Sequence, residues 1–265
     1  MFFKKYDHLY QDDSHQCLVF SDLVKGSGIQ SNQFLIIHDG HTALIDPGGD
    51  LTFAPLSIEI GKHMQLENLD YILASHQDPD IIAAMGRWMM QTNANVVCSK
   101  LWARFLPHLT SSYLDEVRGI KLIDRIKPLP DHGGVVHLGD CGIQVLPAHF
   151  LHSVGNFHFY DPISKILFSG DMGASMVEDK ANEPVIDFKS HIKSMEGFHK
   201  RYMAGNKACR LWANMIRELD VEMMVPQHGK AFVGKEMINE FLDWISELEC
   251  GLDLIDQRFF SLNHI

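Results

Sequence analysis

The sequence predicts an α/β fold of four layers, with helices covering the outer faces of two packed sheets (αββα). Three observations carry this expectation. Early apolar runs are joined by a hairpin signal, later ones alternate with helix-length stretches, and no Pro/Gly/Ser linker, low-complexity tract or repeat interrupts the 265 residues. Residues 1–265 are therefore expected to form a single domain. Hydrophobic content of 46% is ordinary for a chain with a substantial core.

The elements follow in order. Two apolar runs within Phe34–Asp46 flank Asp39-Gly40, a dipeptide that tolerates the positive φ of a tight turn. Asp46-Pro47-Gly48-Gly49 closes the second strand, and a helix is expected near Ala54–His63. The apolar run Tyr71–Ala74 reads as a buried strand. Ile81, Ile82, Met85, Trp88 and Met89 recur at helical spacing, which predicts a helix from Ile81 to Met90. A strand is expected at Asn95–Cys98 and a helix at Lys100–Leu109. Ile143–Leu146 and Lys165–Phe168 read as further strands. His191 to Asp220 reads as largely helical, with Phe198, Tyr202, Trp212 and Ile216 as core contacts. Glu222–Val225 is the next strand, and Gly234 to Glu249 the final helix.

A net charge of -11, from 34 acidic and 23 basic residues, argues against nucleic-acid partners and anionic membrane surfaces. Five widely separated cysteines without a Cys-x-x-Cys pair read as free thiols, mostly buried, in a reducing compartment. The N-terminus lacks the apolar stretch of a signal peptide, and no window approaches a membrane span of roughly 18 apolar residues. A soluble cytoplasmic protein is expected. Histidine is enriched, with 16 copies, which favours metal chemistry.

The chemistry-bearing stretch is Ser75-His76-Gln77-Asp78-Pro79-Asp80, directly after the strand Tyr71–Ala74. One imidazole and two carboxylates on alternate residues combine borderline nitrogen with hard oxygen, a set suited to iron, manganese or zinc. Three more signals stand after strands: His152 beyond Val145-Leu146-Pro147, Asp171 beyond Leu167-Phe168, and His228 beyond Val225-Pro226. Three imidazoles and three carboxylates are too many for one tetrahedral zinc. They fit two metals that share a bridging carboxylate.

With these residues in view, the chain resembles the metallo-β-lactamase fold superfamily, and most closely the di-iron core of flavodiiron proteins. Hydrolases of that superfamily carry His-x-His-x-Asp-His after this strand, and flavodiiron proteins His-x-Glu-x-Asp-His. Here the motif is His76-x-Asp78-x-Asp80, with Ile81 in place of the last His. The later ligands map onto His152, Asp171 and His228, keeping a separation of 19 residues (171 − 152). The resemblance covers roughly residues 30–250. It implies that His76, Asp78 and His152 hold one iron, that Asp80 and His228 hold the other, and that Asp171 bridges, with an oxo, hydroxo or peroxo group completing the pair. A homodimer is also implied.

Two departures from the family pattern bear on function. Ile81 leaves the second metal three protein ligands, with positions open to water, dioxygen or nitric oxide. The chain also ends at Ile265 and shows no Gly-rich phosphate loop, so no FMN-binding flavodoxin domain is expected. The resemblance then points to the shortened oxygen-binding di-iron proteins associated with bacterial chemotaxis. Charge supports this: two ferrous ions with three carboxylates carry about +1, as do two ferric ions with three carboxylates and a peroxide. An oxygen or redox sensor with a signalling partner is the reading adopted. Its rivals are an oxygen or nitric-oxide reductase fed by a separate electron donor, and a dinuclear zinc hydrolase, which Asp78 and Ile81 disfavour.

Asp46 matches a family aspartate that sits behind a metal-binding His, a role in which carboxylates fix an imidazole tautomer; a turn-forming Asp-Pro is the rival reading. His149 competes with His152 for one ligand position, and the Gly155-Asn156 turn favours His152. His38, His41, His132, His137 and His158 read as structural. Phe157, Phe159 and Tyr160 are candidates for the pocket wall or for core packing, and Met85, Met89 and Met90 for core filling.

Overall fold

The computed structural model describes residues 6–26, 28–110, 122–177 and 183–262. Its first sheet starts as an antiparallel meander of β1 (Tyr6–Gln11), β2 (His15–Phe20), β3 (Gln33–His38) and β4 (His41–Ile45). It continues in parallel through β5 (Tyr71–Leu73), β6 (Asn95–Ser99) and β7 (Ile126–Leu129). The expected hairpin turn is present, with Asp39 at φ 45° and Gly40 at φ 85°. The intervening helices are α1 (Asp50–Ile60), α2 (Pro79–Ile82), α3 (Met85–Gln91) and α4 (Lys100–Ala103).

The second sheet contains β8 (Gly134–Leu138), β9 (Cys141–Pro147), β10 (Phe157–Asp161), β11 (Ile166–Phe168), β12 (Met223–Val225) and β13 (Phe232–Val233). Its spatial order runs from β13 back to β8. Two long helices, α5 (Phe188–Tyr202) and α6 (Asn206–Ile216), follow β11, and a third, α7 (Lys235–Glu247), follows β13.

The period of two along each strand separates the layers. Leu44, Ile72 and Val96 face α1 and α3 through Phe53, Leu56, Trp88 and Met89. Their neighbours Ile45, Leu73 and Val97 face Val145, Phe157, Phe159 and Phe168 of the other sheet. Tyr160, Leu167 and Met224 point outward onto Trp212, Ile216, Phe241 and Ile245. Both faces of both sheets are therefore covered, as the αββα expectation requires.

Two predicted helices are broken. The Ile81–Met90 run divides because the Ala84 amide donates to Gly48 O (3.0 Å) instead of continuing the helical ladder. The Lys100–Leu109 run ends at Ala103 and resumes as a 3-10 turn over Leu106–Leu109, with Pro107 in its first positions. Phe157, Phe159 and Tyr160 are core packing, as are Met85 and Met89. Among the described residues, no helix is long and apolar enough to cross a membrane.

Strand direction places the site. β9 and β11 each run antiparallel to β10, and β12 runs parallel to β11, so β9, β11 and β12 end on one edge. β4 and β5 are parallel and end together as well. The loops after these five strands carry Asp46, His76 to Asp80, His152, Asp171 and His228.

Candidate metal centre

The six predicted residues meet. Asp171 stands at the middle with its two carboxylate oxygens facing different neighbours. Its Oδ2 lies 3.7 Å from His76 Nε2 and 3.7 Å from His152 Nε2. Its Oδ1 lies 3.6 Å from His228 Nε2. Asp78 Oδ2 joins the first group, 2.8 Å from His152 Nε2 and 3.8 Å from His76 Nε2. Asp80 Oδ2 joins the second, 3.5 Å from His228 Nε2. One atom each from His76, Asp78, His152 and Asp171 fall within 4.8 Å of one another.

Local backbone chemistry aims these groups. Asp78 is the extended residue before α2, and Pro79 begins that helix, where a missing N–H costs nothing. His152 sits at φ 80°, a conformation uncommon for a residue with a Cβ, at the tip of the loop after β9. Gly49 allows the Asp46–Gly49 turn to lie against the ligand loop: a Cβ there would stand 2.9 Å from Pro79 O and 3.0 Å from Asp80 Cα. Gly229, at φ 82°, follows His228 where a Cβ would collide with Ser175 Oγ.

A second ring of groups orients the imidazoles. His76 Nδ1 is 2.9 Å from Ser75 Oγ, and His228 Nδ1 donates to Gln30 O at 2.7 Å. Among the described residues, Asp46 has no hydrogen bond or ion pair with an imidazole. It accepts from the Ser75 amide (2.8 Å) and from Gln227 Nε2, and Gln227 Nε2 also donates to Ser75 Oγ (2.9 Å). The expected support of His76 by Asp46 is thus relayed through Ser75. Burial pushes the Asp46 carboxyl up to about 8, against the pull of the Ser75 hydrogen bond. Ser75 and Gln227 were not singled out from sequence, although each adjoins a predicted ligand.

Burial holds His76 below the usual imidazole range, partly offset by the Asp171 and Asp78 carboxylates. Asp78 is also partly buried, yet its hydrogen bond to His152 and the nearby imidazoles bring its carboxyl below the usual value. His152 moves upward, because burial is outweighed by Asp78, Asp171 and Asp80. His149, the rival for the His152 position, bonds Asp131 O at 2.6 Å, outside the cluster.

The cluster opens into a cavity of about 450 Å³ bounded by Ile29, Met176, Phe198, Arg201 and Tyr202. Phe198 and Tyr202 stack at 4.8 Å, and the Tyr202 ring lies 5.2 Å from that of His152. Both were expected in the core. Tyr202 is instead 51% exposed, because this end of α5 overhangs the site edge. His199, from the same helix, donates Nδ1–H to Met195 O (2.9 Å) and accepts from the Gly173 amide (3.1 Å). It thereby anchors the loop that carries Asp171.

The donor set fits metal ions. His76 Nε2 and Asp171 Oδ1 are buried and have no hydrogen-bond partner among the described residues, although both point into the cluster. Buried polar atoms are normally satisfied. The two orphans fall in different lobes, His76 Nε2 beside Asp171 Oδ2 and Asp171 Oδ1 beside His228, and a cation in each lobe accounts for them.

Fold and site together define a metallo-β-lactamase-type protein whose sheet edge carries a two-lobed imidazole–carboxylate centre. The chain belongs to the family described as ODP family beta lactamase, which matches residues 29–229. The chain is 36% identical to a solved protein described as a peroxy diiron species of chemotaxis sensor ODP. That match has a TM-score of 0.83 and covers 97% of this chain and 100% of the other. The apo state of chemotaxis sensor ODP from T. denticola matches at 36% identity and a TM-score of 0.81, over 96% and 99% of the two chains. Rubredoxin oxygen:oxidoreductase from Desulfovibrio gigas shares the fold at 15% identity, with a TM-score of 0.72 over 91% of this chain and 61% of that one. An uncharacterized protein of Methanocaldococcus jannaschii is 27% identical over 236 residues, 83% of this chain. The chain spans about half the length of that relative, 53%.

Proposed function

We propose that this chain is a non-haem di-iron protein that binds dioxygen and reports it to a signalling partner. The observation that carries this reading is Asp171, whose two oxygens face separate donor groups. His76, Asp78 and His152 would hold one iron, Asp80 and His228 the other, and Asp171 would bridge. Bound as a ferrous pair, iron supplies the two electrons that capture dioxygen. Every ligand is nitrogen or hard oxygen, which suits iron.

The position of Ile81 supports a site for a small gas. Its buried aliphatic side chain offers no ligand to the second lobe, where Asp80 and His228 border the cavity. Phe198 and Tyr202 form a largely apolar wall beside His152, a surface suited to an uncharged gas such as dioxygen or nitric oxide. The names of the two solved relatives agree with a sensor. A cytoplasmic location and action as a single domain belong to the same proposal.

The test is anaerobic loading with ferrous iron followed by oxygen titration under optical observation. The sensor reading expects stoichiometric oxygen uptake and a long-lived visible band. Sustained consumption of oxygen or nitric oxide with added redox partners would replace it with a reductase. Zinc retention with hydrolytic turnover would replace it with a hydrolase.

A further inference from the structure

The sheet end opposite Asp171 holds a second set of metal-ligating side chains, and we propose that it binds a divalent cation of the zinc class. His15 and Cys17 come from the start of β2, Cys141 from the start of β9, and Asp161 from the end of β10. All four are buried, at 0%, 0%, 3% and 0% exposure. The Asp171 centre contains no sulfur, so this site is chemically distinct from it.

Three donors already gather around one point, and a fourth, Cys17, stands beside two of them. His15 Nε2 lies 2.7 Å from Asp161 Oδ2 and 3.4 Å from Cys17 Sγ. Cys17 Sγ is 3.2 Å from Asp161 Oδ2, and Cys141 Sγ is 3.7 Å from Asp161 Oδ1. Single atoms of His15, Cys141 and Asp161 lie within 4.8 Å of one another. Metal–ligand bonds of about 2.0–2.3 Å at tetrahedral angles put neighbouring ligand atoms about 3.3–3.8 Å apart. His15, Cys141 and Asp161 are within reach of one ion as they stand, and Cys17 would complete the set by turning its Sγ in from its place beside His15 and Asp161.

The outer ring of groups leaves the right atom of His15 free. His38 Nε2 donates to Asp140 Oδ1 at 2.7 Å, so a neutral His38 presents a bare Nδ1. That atom is 3.2 Å from His15 Nδ1 and accepts its proton. His15 Nε2 is then a lone pair facing the Asp161 carboxylate. Two such lone pairs at 2.7 Å require a shared cation, either a proton or a metal ion. The imidazole–imidazole–carboxylate relay also fixes the ring, as groups behind zinc-binding histidines do. Exposed Asp39 and Asp140 beside His38 mark the outer end of the cluster.

Charge favours a soft divalent ion. In the metal-free fold both thiols donate to Asp161, Cys17 Sγ to Oδ2 and Cys141 Sγ to Oδ1, so both sulfurs carry their protons there. Zinc entry displaces the shared His15–Asp161 proton and the two thiol protons, forms two Zn–S bonds, and transfers no electrons. The net charge changes by only one, from zero to minus one, counting Asp161, both sulfurs, the shared proton and the ion. The cation would fasten β2 of one sheet to β9 and β10 of the other.

The test uses the full chain with its Asp171 centre first filled with iron. Cobalt added as a zinc substitute should give tetrahedral ligand-field bands and a thiolate-to-metal charge-transfer band at one ion per chain. C141S and C17S should each lose about half of the charge-transfer intensity, and the C17S/C141S double variant all of it, each keeping its iron, whereas C250S should keep both in full. Zinc affinity in the wild-type chain should tighten by about tenfold or more per pH unit, because protons leave on binding. Absence of a sulfur band in the cobalt-treated wild type, or its survival in C17S/C141S, would overturn the site. Neither result touches the iron reading, since iron content is measured separately.

Discussion

Replacing Asp171 with Asn separates a residue placed for metal from one placed for folding. The substitution keeps the shape and removes one of three carboxylate charges. The first lobe retains His76, Asp78 and His152, whereas the second falls to Asp80 and His228, with nothing between the lobes. Iron should drop from two ions per chain to one at most, with the second weakened by at least about a hundredfold, or about 2.7 kcal/mol. The metal-free protein should respond in the opposite direction. Asp171 is 4% exposed and its Oδ1 has no hydrogen-bond partner among the described residues, so in the metal-free fold its desolvation is offset only by imidazoles 3.6–3.7 Å away. Neutralising it should stabilise the metal-free fold by about 1–3 kcal/mol. At about 2–4 °C per kcal/mol for a chain of this size, the melting temperature should rise by about 2–12 °C. Iron analysis after anaerobic loading and calorimetry of metal-free protein give both readouts. A destabilised variant with unchanged iron content would refute the reasoning.

Three further outcomes follow from the same structure. Burial holds His158 at about 3 and His199 at about 4, below the ordinary 6.5. Their folded values are depressed, so the stability they contribute is present above about 6.5 and is lost as pH falls toward those values. Each should remove about 2 kcal/mol by pH 5, a loss that urea titrations should find absent from H158Q/H199Q. His199→Ala leaves the Gly173 amide buried without its acceptor, and should cost about 2–4 kcal/mol and weaken iron binding through the Asp171 loop, read by denaturation and metal titration. Tyr202→Ala opens the wall beside His152, and the visible band formed on oxygen addition should decay about tenfold faster in stopped-flow traces, with iron content unchanged.

Much of the site was legible because metal ligands are short polar motifs that break apolar strands. His76, Asp78, Asp80, Asp171 and His228 each stand just beyond such a run, and strand direction alone then gathers them. His152 was harder to separate from His149, since both sit in the loop after β9; the turn at Gly155 pointed to the one that joins the cluster. The wall was not legible. Phe198 and Tyr202 fall on the apolar stripe of α5, and only tertiary placement shows that its last turns extend past the sheet edge. The same limit hid the break between α2 and α3, where an amide turns to Gly48 across the fold. No strand was expected at β1, β2, β7, β8, β10 or β13. β1 is a polar edge strand, and β10 buries His158 among aromatics by giving it Trp212 Nε1 as a partner at 3.0 Å. His15, Cys17, Cys141 and Asp161 are scattered over almost 150 positions, so no local spacing announces them.

The central claim is that Asp171 joins two unequal metal positions. Mössbauer spectra of protein loaded anaerobically with ferrous iron test it most directly. Two high-spin ferrous sites of equal population and different quadrupole splitting are expected, both changing together on exposure to oxygen. A single ferrous site, or one iron per chain under saturating supply, would contradict it.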